Sequence, residues 1–96
     1  MPTKRSLPAA LKMARKARGL SQEAFSDVSS RTYVSTLERG MKNPTLSKIA
    51  AICRVLEIHP LTLLSLSYTA GSIAEFDSLA ARIRREILTL SRPAKR

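Results

Sequence analysis

Residues that start and stop helices recur along the whole chain, and this punctuation most constrains its fold. Serine and threonine caps precede apolar runs, and glycines follow three of these runs, at Gly19, Gly40 and Gly71. Runs with the alternation typical of strands are almost absent. The 96 residues suffice for one domain, so we expect an all-α fold and exclude a multidomain enzyme.

The punctuation predicts a five-helix domain with an additional C-terminal amphipathic helix. The second helix must be short, because a turn-forming cluster occupies 26–30. The third runs from Arg31 to Arg39. The fourth has an apolar stripe of Leu46, Ile49, Cys53 and Leu56. The five domain helices are expected to begin at Ser6, Ser21, Ser29 or Ser30, Thr45 and His59.

The sixth helix follows a break at Thr69–Gly71. Ser72 and Glu75 have the spacing of a capping box, and the helix is expected to end near Ser91. Its apolar residues follow a heptad seam of Ile73, Phe76, Ala80, Ile83, Ile87 and Leu90. This stripe either folds back onto its own domain or pairs with a second copy, and its narrowness favours a homodimer.

These elements predict one helical domain over residues 1–69 that begins with a basic arm at about 1–5. A dimerisation helix over 70–91 and a disordered basic tail over 92–96 complete the predicted organisation.

The positive charge lies mainly at the two ends of the chain. Seventeen Lys and Arg face seven Asp and Glu, for a net charge of +10. Residues 1–20 hold six bases and no acid, residues 21–60 are nearly balanced at +1, and residues 61–96 carry +3. This excess favours a polyanionic partner, with nucleic acid ahead of an anionic membrane surface. We expect the amino-terminal segment to attract phosphates.

The residues that catalysis or metal binding would need are too few. One cysteine, Cys53, and one histidine, His59, provide neither a disulfide nor a zinc site. We interpret Cys53 as a core thiol and His59 as a capping or surface residue. Neither a glycine-rich phosphate loop nor a nucleophile paired with a base is present, so we expect no enzyme, metal or cofactor. No apolar run reaches the roughly 18 residues of a membrane span, so a cytoplasmic protein without a membrane partner is expected.

Two short helices joined by a tight turn are typical of a helix-turn-helix DNA reader. Val34 and Leu37 share the inward face of the later helix of this pair, the predicted helix from Arg31 to Arg39. Arg31 stands where its guanidinium could pair with a guanine, and short hydroxyl side chains can approach base edges. Base reading is therefore assigned to the opposite face, at Arg31, Thr32, Ser35 and Thr36. Arg39, at the end of this face, is expected to contact phosphate.

Three segments carry a family resemblance, and together they are much more specific than any one of them. They are Arg18-Gly19-Leu20-Ser21-Gln22-Glu23, Tyr33-Val34-Ser35-Thr36-Leu37-Glu38-Arg39-Gly40 and Asn43-Pro44-Thr45-Leu46. With them the chain resembles the Cro and phage-repressor type of helix-turn-helix regulators, the XRE family, over about residues 7–66. Between Gln22 and Tyr33 the chain is roughly two residues shorter than the family pattern and lacks the usual turn glycine. Either the first motif helix ends early, near Asp27, or the turn is tighter.

The resemblance also implies roles for individual residues. Ser21 is expected to cap the first motif helix and Gln22 to reach a phosphate, while Arg31, Thr32 and Thr36 occupy base-reading positions. The positions that commonly grip the DNA backbone are Ser30, Lys42 and Asn43. Arg15 and Glu38 match a pair that usually forms a salt bridge between helices.

We therefore expect a transcriptional regulator that binds double-stranded DNA as a homodimer on a roughly palindromic operator, as a repressor or autoregulator. A phage repressor, the controller of a restriction system and an antitoxin that also binds a toxin all fit. The remaining alternative is a basic protein that binds nucleic acid through charge alone and does not distinguish sequences.

Overall fold

Residues 5–93 form five α-helices and one 3₁₀ turn. The computed structural model describes residues 5–93, with the backbone alone at residue 31. The elements are α1 Leu7–Ala17, the 3₁₀ turn Gln22–Phe25, α2 Arg31–Glu38, α3 Leu46–Leu56, α4 Pro60–Thr69 and α5 Ile73–Leu90. No strand occurs within 5–93, so the all-α prediction is confirmed. Residues 1–4 of the predicted arm and 94–96 of the predicted tail lie outside the described residues.

Every α-helix begins at a residue that the sequence marked as a cap. In each case the cap side chain accepts a hydrogen bond from a backbone N–H of the first turn, which satisfies one of the free donors there. The caps are Ser6, Ser30, Thr45, His59 and Ser72. Helices α1 and α4 also have a proline in the first turn. The backbone N–H groups there have no partner within the helix, so the missing N–H of proline costs nothing.

The second predicted helix is a single 3₁₀ turn rather than an α-helix. The predicted cap at Ser21 is wrong, because its side chain makes no capping bond. Its carbonyl instead accepts the N–H of Ala24 at 3.1 Å, so that donor is already used. The N–H groups of Val28 and Ser29 then both donate to the carbonyl of Phe25, at 3.0 and 2.8 Å. The first motif helix thus ends at Phe25, before Asp27, which accounts for the short spacing to Tyr33.

Two adjoining apolar clusters form the core. The first joins α1, the 3₁₀ turn, α2 and α3 through Leu11, Phe25, Val34, Leu37, Ile52 and Leu56. The second joins α1, α3 and α4 through Ala10, Ile49, Cys53 and Leu63. Leu46 does not share the buried stripe that the sequence predicted and is 76% exposed. It lies in the first turn of α3, where residues 45–47 are all exposed and reach beyond the core.

Helix α5 leaves the domain after its first turns. Every residue from 81 to 93 is exposed, so the apolar stripe of α5 does not fold back onto the domain. The predicted capping box forms only in part. The Ser72 hydroxyl accepts the N–H of Glu75 at 3.2 Å. The Glu75 carboxylate pairs instead with both terminal nitrogens of Arg5, which also donates to the carbonyl of Tyr68.

The length and hydropathy of the helices decide whether one of them could span a membrane. No single helix within the described residues is long and apolar enough to cross a bilayer. Helices α3 and α4 reach the required length and hydropathy only when taken together, and the chain bends by 98° between them.

Replacing Gly40 with alanine is expected to destabilise the fold by about 1 kcal/mol, because Gly40 ends α2 in the left-handed conformation at φ +74°. An added Cβ would meet Pro8 at an ordinary 3.6 Å, so the cost is conformational rather than steric. Urea unfolding measures it. Gly19→Ala is the matched control, since Gly19 has φ +70° and open space around it. A much larger loss for Gly40→Ala than for Gly19→Ala would contradict this account.

Candidate nucleic-acid interface

Helix α2 presents one apolar and one polar face. Val34 and Leu37 are 0% and 3% exposed and fix the helix to the core. On the other face Thr32 is exposed, and Ser35 and Thr36 are partly exposed. The predicted base-reading residues therefore share an accessible surface as far as the structure describes them. The side chain of Arg31, predicted as a fourth reader, lies outside that description.

The hydroxyl of Thr36 already has a partner within α2. It donates to the carbonyl of Thr32 at 2.6 Å. With its proton engaged, the Thr36 oxygen still carries acceptor lone pairs. In the major groove such an acceptor suits the amino group of adenine or cytosine.

The predicted phosphate contacts precede and follow α2 in the chain. The side chains of Ser21, Ser30, Arg39, Lys42 and Asn43 are exposed. Ser30 caps α2 by accepting the N–H of Tyr33 at 3.0 Å, and its hydroxyl proton can still be donated to phosphate. Gln22 is half-buried and donates to Glu38 Oε1 at 3.2 Å. Its amide carries two N–H groups, so one donor can serve the protein while the other serves a phosphate.

Lys48 belongs to this surface, although no sequence pattern indicated it. Its ammonium group donates to the carbonyl of Val28 at 2.9 Å, which holds the turn before α2 against α3. The Nζ atoms of Lys48 and Lys42 lie 5.1 and 5.4 Å from the ring centroid of Tyr33. Both distances suit cation–π contacts. The two ammonium groups give α2 a positive flank.

A hydrogen-bonded network orients α2 against α1 and the 3₁₀ turn. Arg15 donates to both oxygens of Glu38, from Nε at 2.6 Å and from a terminal nitrogen at 3.0 Å. The two side chains are only 12% and 5% exposed. The hydrogen bond with Glu38 raises the pKa of Arg15, so the guanidinium stays charged. Arg15 also donates to the carbonyl of Leu20 at 2.8 Å, which ties down the chain entering the turn.

Three arginines of the basic amino-terminal segment bind other parts of the protein. Arg5 pairs with Glu75, and Arg15 pairs with Glu38. Arg18 donates to the carbonyls of Leu56 and Glu57 at 2.9 and 3.2 Å, closing the end of α3. The segment was expected to attract phosphates as a whole. Within its described part, Lys12 and Lys16 are exposed bases for which no such internal contact is seen.

The structure gives Cys53 and His59 local roles. Cys53 is fully buried in the core, and burial raises the pKa of its thiol. His59 caps α4 by accepting the N–H of Leu61 at Nδ1, 3.0 Å away. Within the described part of the chain, no three His, Cys, Asp or Glu side chains are grouped to hold a metal ion.

A short helical turn packed against a serine-capped helix with an accessible polar face defines a helix-turn-helix domain. Residues 11–63 of the 96 match the family model described as helix-turn-helix. The chain belongs to that family, in its Cro and phage-repressor (XRE) type, and is a DNA-binding transcription regulator. No curated protein and no solved structure gives a significant match.

Proposed function

We propose that the protein represses or autoregulates transcription as a homodimer on a roughly palindromic operator. The outer face of α2 carries this proposal. It presents Thr32, Ser35 and Thr36, which are short and neutral, while basic side chains flank it. Short neutral groups can approach base edges closely, whereas flanking charges bind phosphates whatever the sequence.

In this proposal α2 lies in the major groove with its amino-terminal half toward the bases. Arg31 supplies a bidentate donor pair for a guanine, and the three hydroxyl side chains read neighbouring positions. Phosphates on either side are held by Ser21, Gln22, Ser30, Arg39, Lys42 and Asn43. These contacts fix the position of α2 on the duplex and carry no sequence information themselves.

The homodimer is proposed from α5. Its seam of Ile73, Phe76, Ala80, Ile83, Ile87 and Leu90 is largely exposed, and Leu90 is 83% accessible. A second copy would cover such a stripe. Two copies related by a two-fold axis would then bind half-sites that lie about one turn of the DNA helix, roughly 34 Å, apart.

Selection of bound duplexes from a random pool at near-physiological salt tests the proposal. The full-length protein should enrich one site with two-fold symmetry. Enrichment of a single asymmetric half-site would contradict the homodimer while preserving specific recognition. Equal recovery of all sequences would show that charge alone drives binding and would contradict α2 as a reader.

Arg31→Ala is expected to relax the operator preference at one base pair per half-site by about 1–3 kcal/mol. Lys12→Ala, which removes an exposed charge from α1, should weaken binding to all sequences alike and make its salt dependence shallower. Competition titrations with single-base variants of the selected operator measure both effects. If the two variants lowered affinity without any difference in specificity, Arg31 would not be a base reader.

A further inference from the structure

We infer that the two α5 helices of the proposed homodimer pair antiparallel, with Ala80 of each copy facing the partner's Ile83. The inference rests on the proposed homodimer and specifies its interface. Three observations support it: the order of large and small residues in the seam, the charges beside the seam, and an apolar groove at the base of α5.

The first observation is the distribution of side-chain size. Ala80 is the only small residue of the seam and lies near the middle of α5. In a parallel pair Ala80 would face the partner's Ala80, and two small side chains would leave a gap in the centre of the interface. The antiparallel register fills this position with a larger side chain, as close packing requires. The facing residues are then Ile73 with the partner's Leu90, Phe76 with the partner's Ile87, and Ala80 with the partner's Ile83.

The second observation is the charge beside the seam. Asp77 directly follows Phe76, and Arg84 directly follows Ile83, so both flank the seam on the same side. In an antiparallel pair these flanks face each other, which brings Asp77 beside the partner's Arg84 twice per dimer. In a parallel pair Arg84 would instead face the partner's Leu79, and both ion pairs would be absent.

The third observation is a groove of about 600 Å³ between α4 and α5. Leu61, Leu66, Ile73 and Phe76 contribute its apolar lining, and Leu61 is 63% exposed. The antiparallel register brings the partner's Ile87 and Leu90 over this groove, because they face Phe76 and Ile73. A parallel pair would carry these side chains to the far end of α5 and would place the partner's Ile73 and Phe76 at the groove instead.

Disulfide trapping between two variants that each add one cysteine distinguishes the two directions. Ile73→Cys and Leu90→Cys are made separately in the full chain, and Cys53 stays in place because it is fully buried. An equimolar mixture oxidised under native conditions should give the mixed disulfide. Each variant alone should give almost no disulfide between copies, since the added cysteines of the two copies would lie about 25 Å apart along antiparallel helices. Mass spectrometry identifies the products.

Same-residue disulfides within each variant alone, without the mixed product, would overturn the antiparallel register and leave the homodimer standing. A monomeric wild-type chain in sedimentation would overturn the homodimer as well. Neither result bears on whether α2 recognises a specific operator, which the duplex selection measures separately.

Charge exchange supplies a second test without new cysteines. Asp77→Arg alone and Arg84→Asp alone should each raise the dimer dissociation constant about tenfold, because each creates two like-charge contacts. The double variant D77R/R84D should restore the wild-type value. Arg85→Asp is the matched control, since Arg85 lies away from the seam and the same charge change there should have little effect. Failure of the double variant to recover would contradict the assigned register.

The groove provides a third readout. Leu61→Ser should weaken the dimer, whereas Leu46→Ser should not, although both leucines are exposed. Leu46 lies in the first turn of α3, outside the groove. Equal dimer dissociation constants for these two variants would show that the partner's Ile87 and Leu90 do not occupy the groove.

Discussion

Truncation of Glu38 to alanine is expected to lower the free energy of unfolding by about 3–5 kcal/mol. The loss is large because the Arg15 side chain, only 12% exposed in the structure, would have neither carboxylate oxygen to bond. Gln22 would lose its acceptor at the same time. Urea denaturation followed by far-ultraviolet circular dichroism measures the effect. Small domains have only about 5–15 kcal/mol of stability, so a substantial unfolded fraction is expected.

The matched control for this prediction is Glu86→Ala. Glu86 also pairs with an arginine, Arg82 at 3.1 Å, but the two side chains are 69% and 55% exposed. Such a pair contributes about 0.5 kcal/mol or less. Equal losses at positions 38 and 86 would mean that the buried network does not support the fold.

A double replacement distinguishes the cost of an unpaired buried charge from the cost of losing the ion pair itself. Arg15→Met combined with Glu38→Leu removes both charges and keeps similar apolar volume. It should recover most of the stability lost in Glu38→Ala, because the main cost is the unpaired guanidinium. DNA binding by the double variant then reports whether the network also sets the position of α2.

The sequence predicted the helix starts well because capping is local. A cap and the N–H that it accepts lie within three residues of each other, so spacing alone identifies Ser6, Thr45 and Ser72. The outer face of α2 was predictable for the same reason, since helical periodicity separates Val34 from Thr32. The residues between Ser21 and Ser30 were harder to interpret. Their 3₁₀ geometry depends on Phe25, which reaches a core built by distant helices.

The sequence located the positive charge but did not indicate how it is used. Six bases in residues 1–20 looked like one phosphate-attracting segment. Arg18 bonds to α3 across 38 and 39 positions, and Arg5 to Glu75 across 70. Lys48 similarly reaches Val28 across 20 positions. Contacts at such separation leave no local pattern, so only the folded chain shows which of these charges bind other parts of the protein.

Phe25→Ala is the second large loss that we expect, about 3–5 kcal/mol of unfolding free energy. Phe25 is completely buried although it lies in a four-residue 3₁₀ turn. Short 3₁₀ segments have poor hydrogen-bond geometry, so this turn depends on its anchor in the core more than an α-helix would. Phe25→Leu keeps an apolar anchor and should cost clearly less than Phe25→Ala. The same urea titration measures both variants.

Phe25 also connects stability to DNA binding, because Gln22 begins the turn that it anchors and Ser21 directly precedes that turn. At a temperature where Phe25→Ala remains folded, loosening of the turn should weaken the phosphate contacts proposed there. Phosphate contacts carry no base information, so affinity for the selected operator and for a random duplex should fall by the same factor. Fluorescence anisotropy with the two duplexes at matched salt compares these factors. A selective loss for the operator would indicate that the 3₁₀ turn positions the base-reading side chains of α2 rather than the phosphate contacts alone.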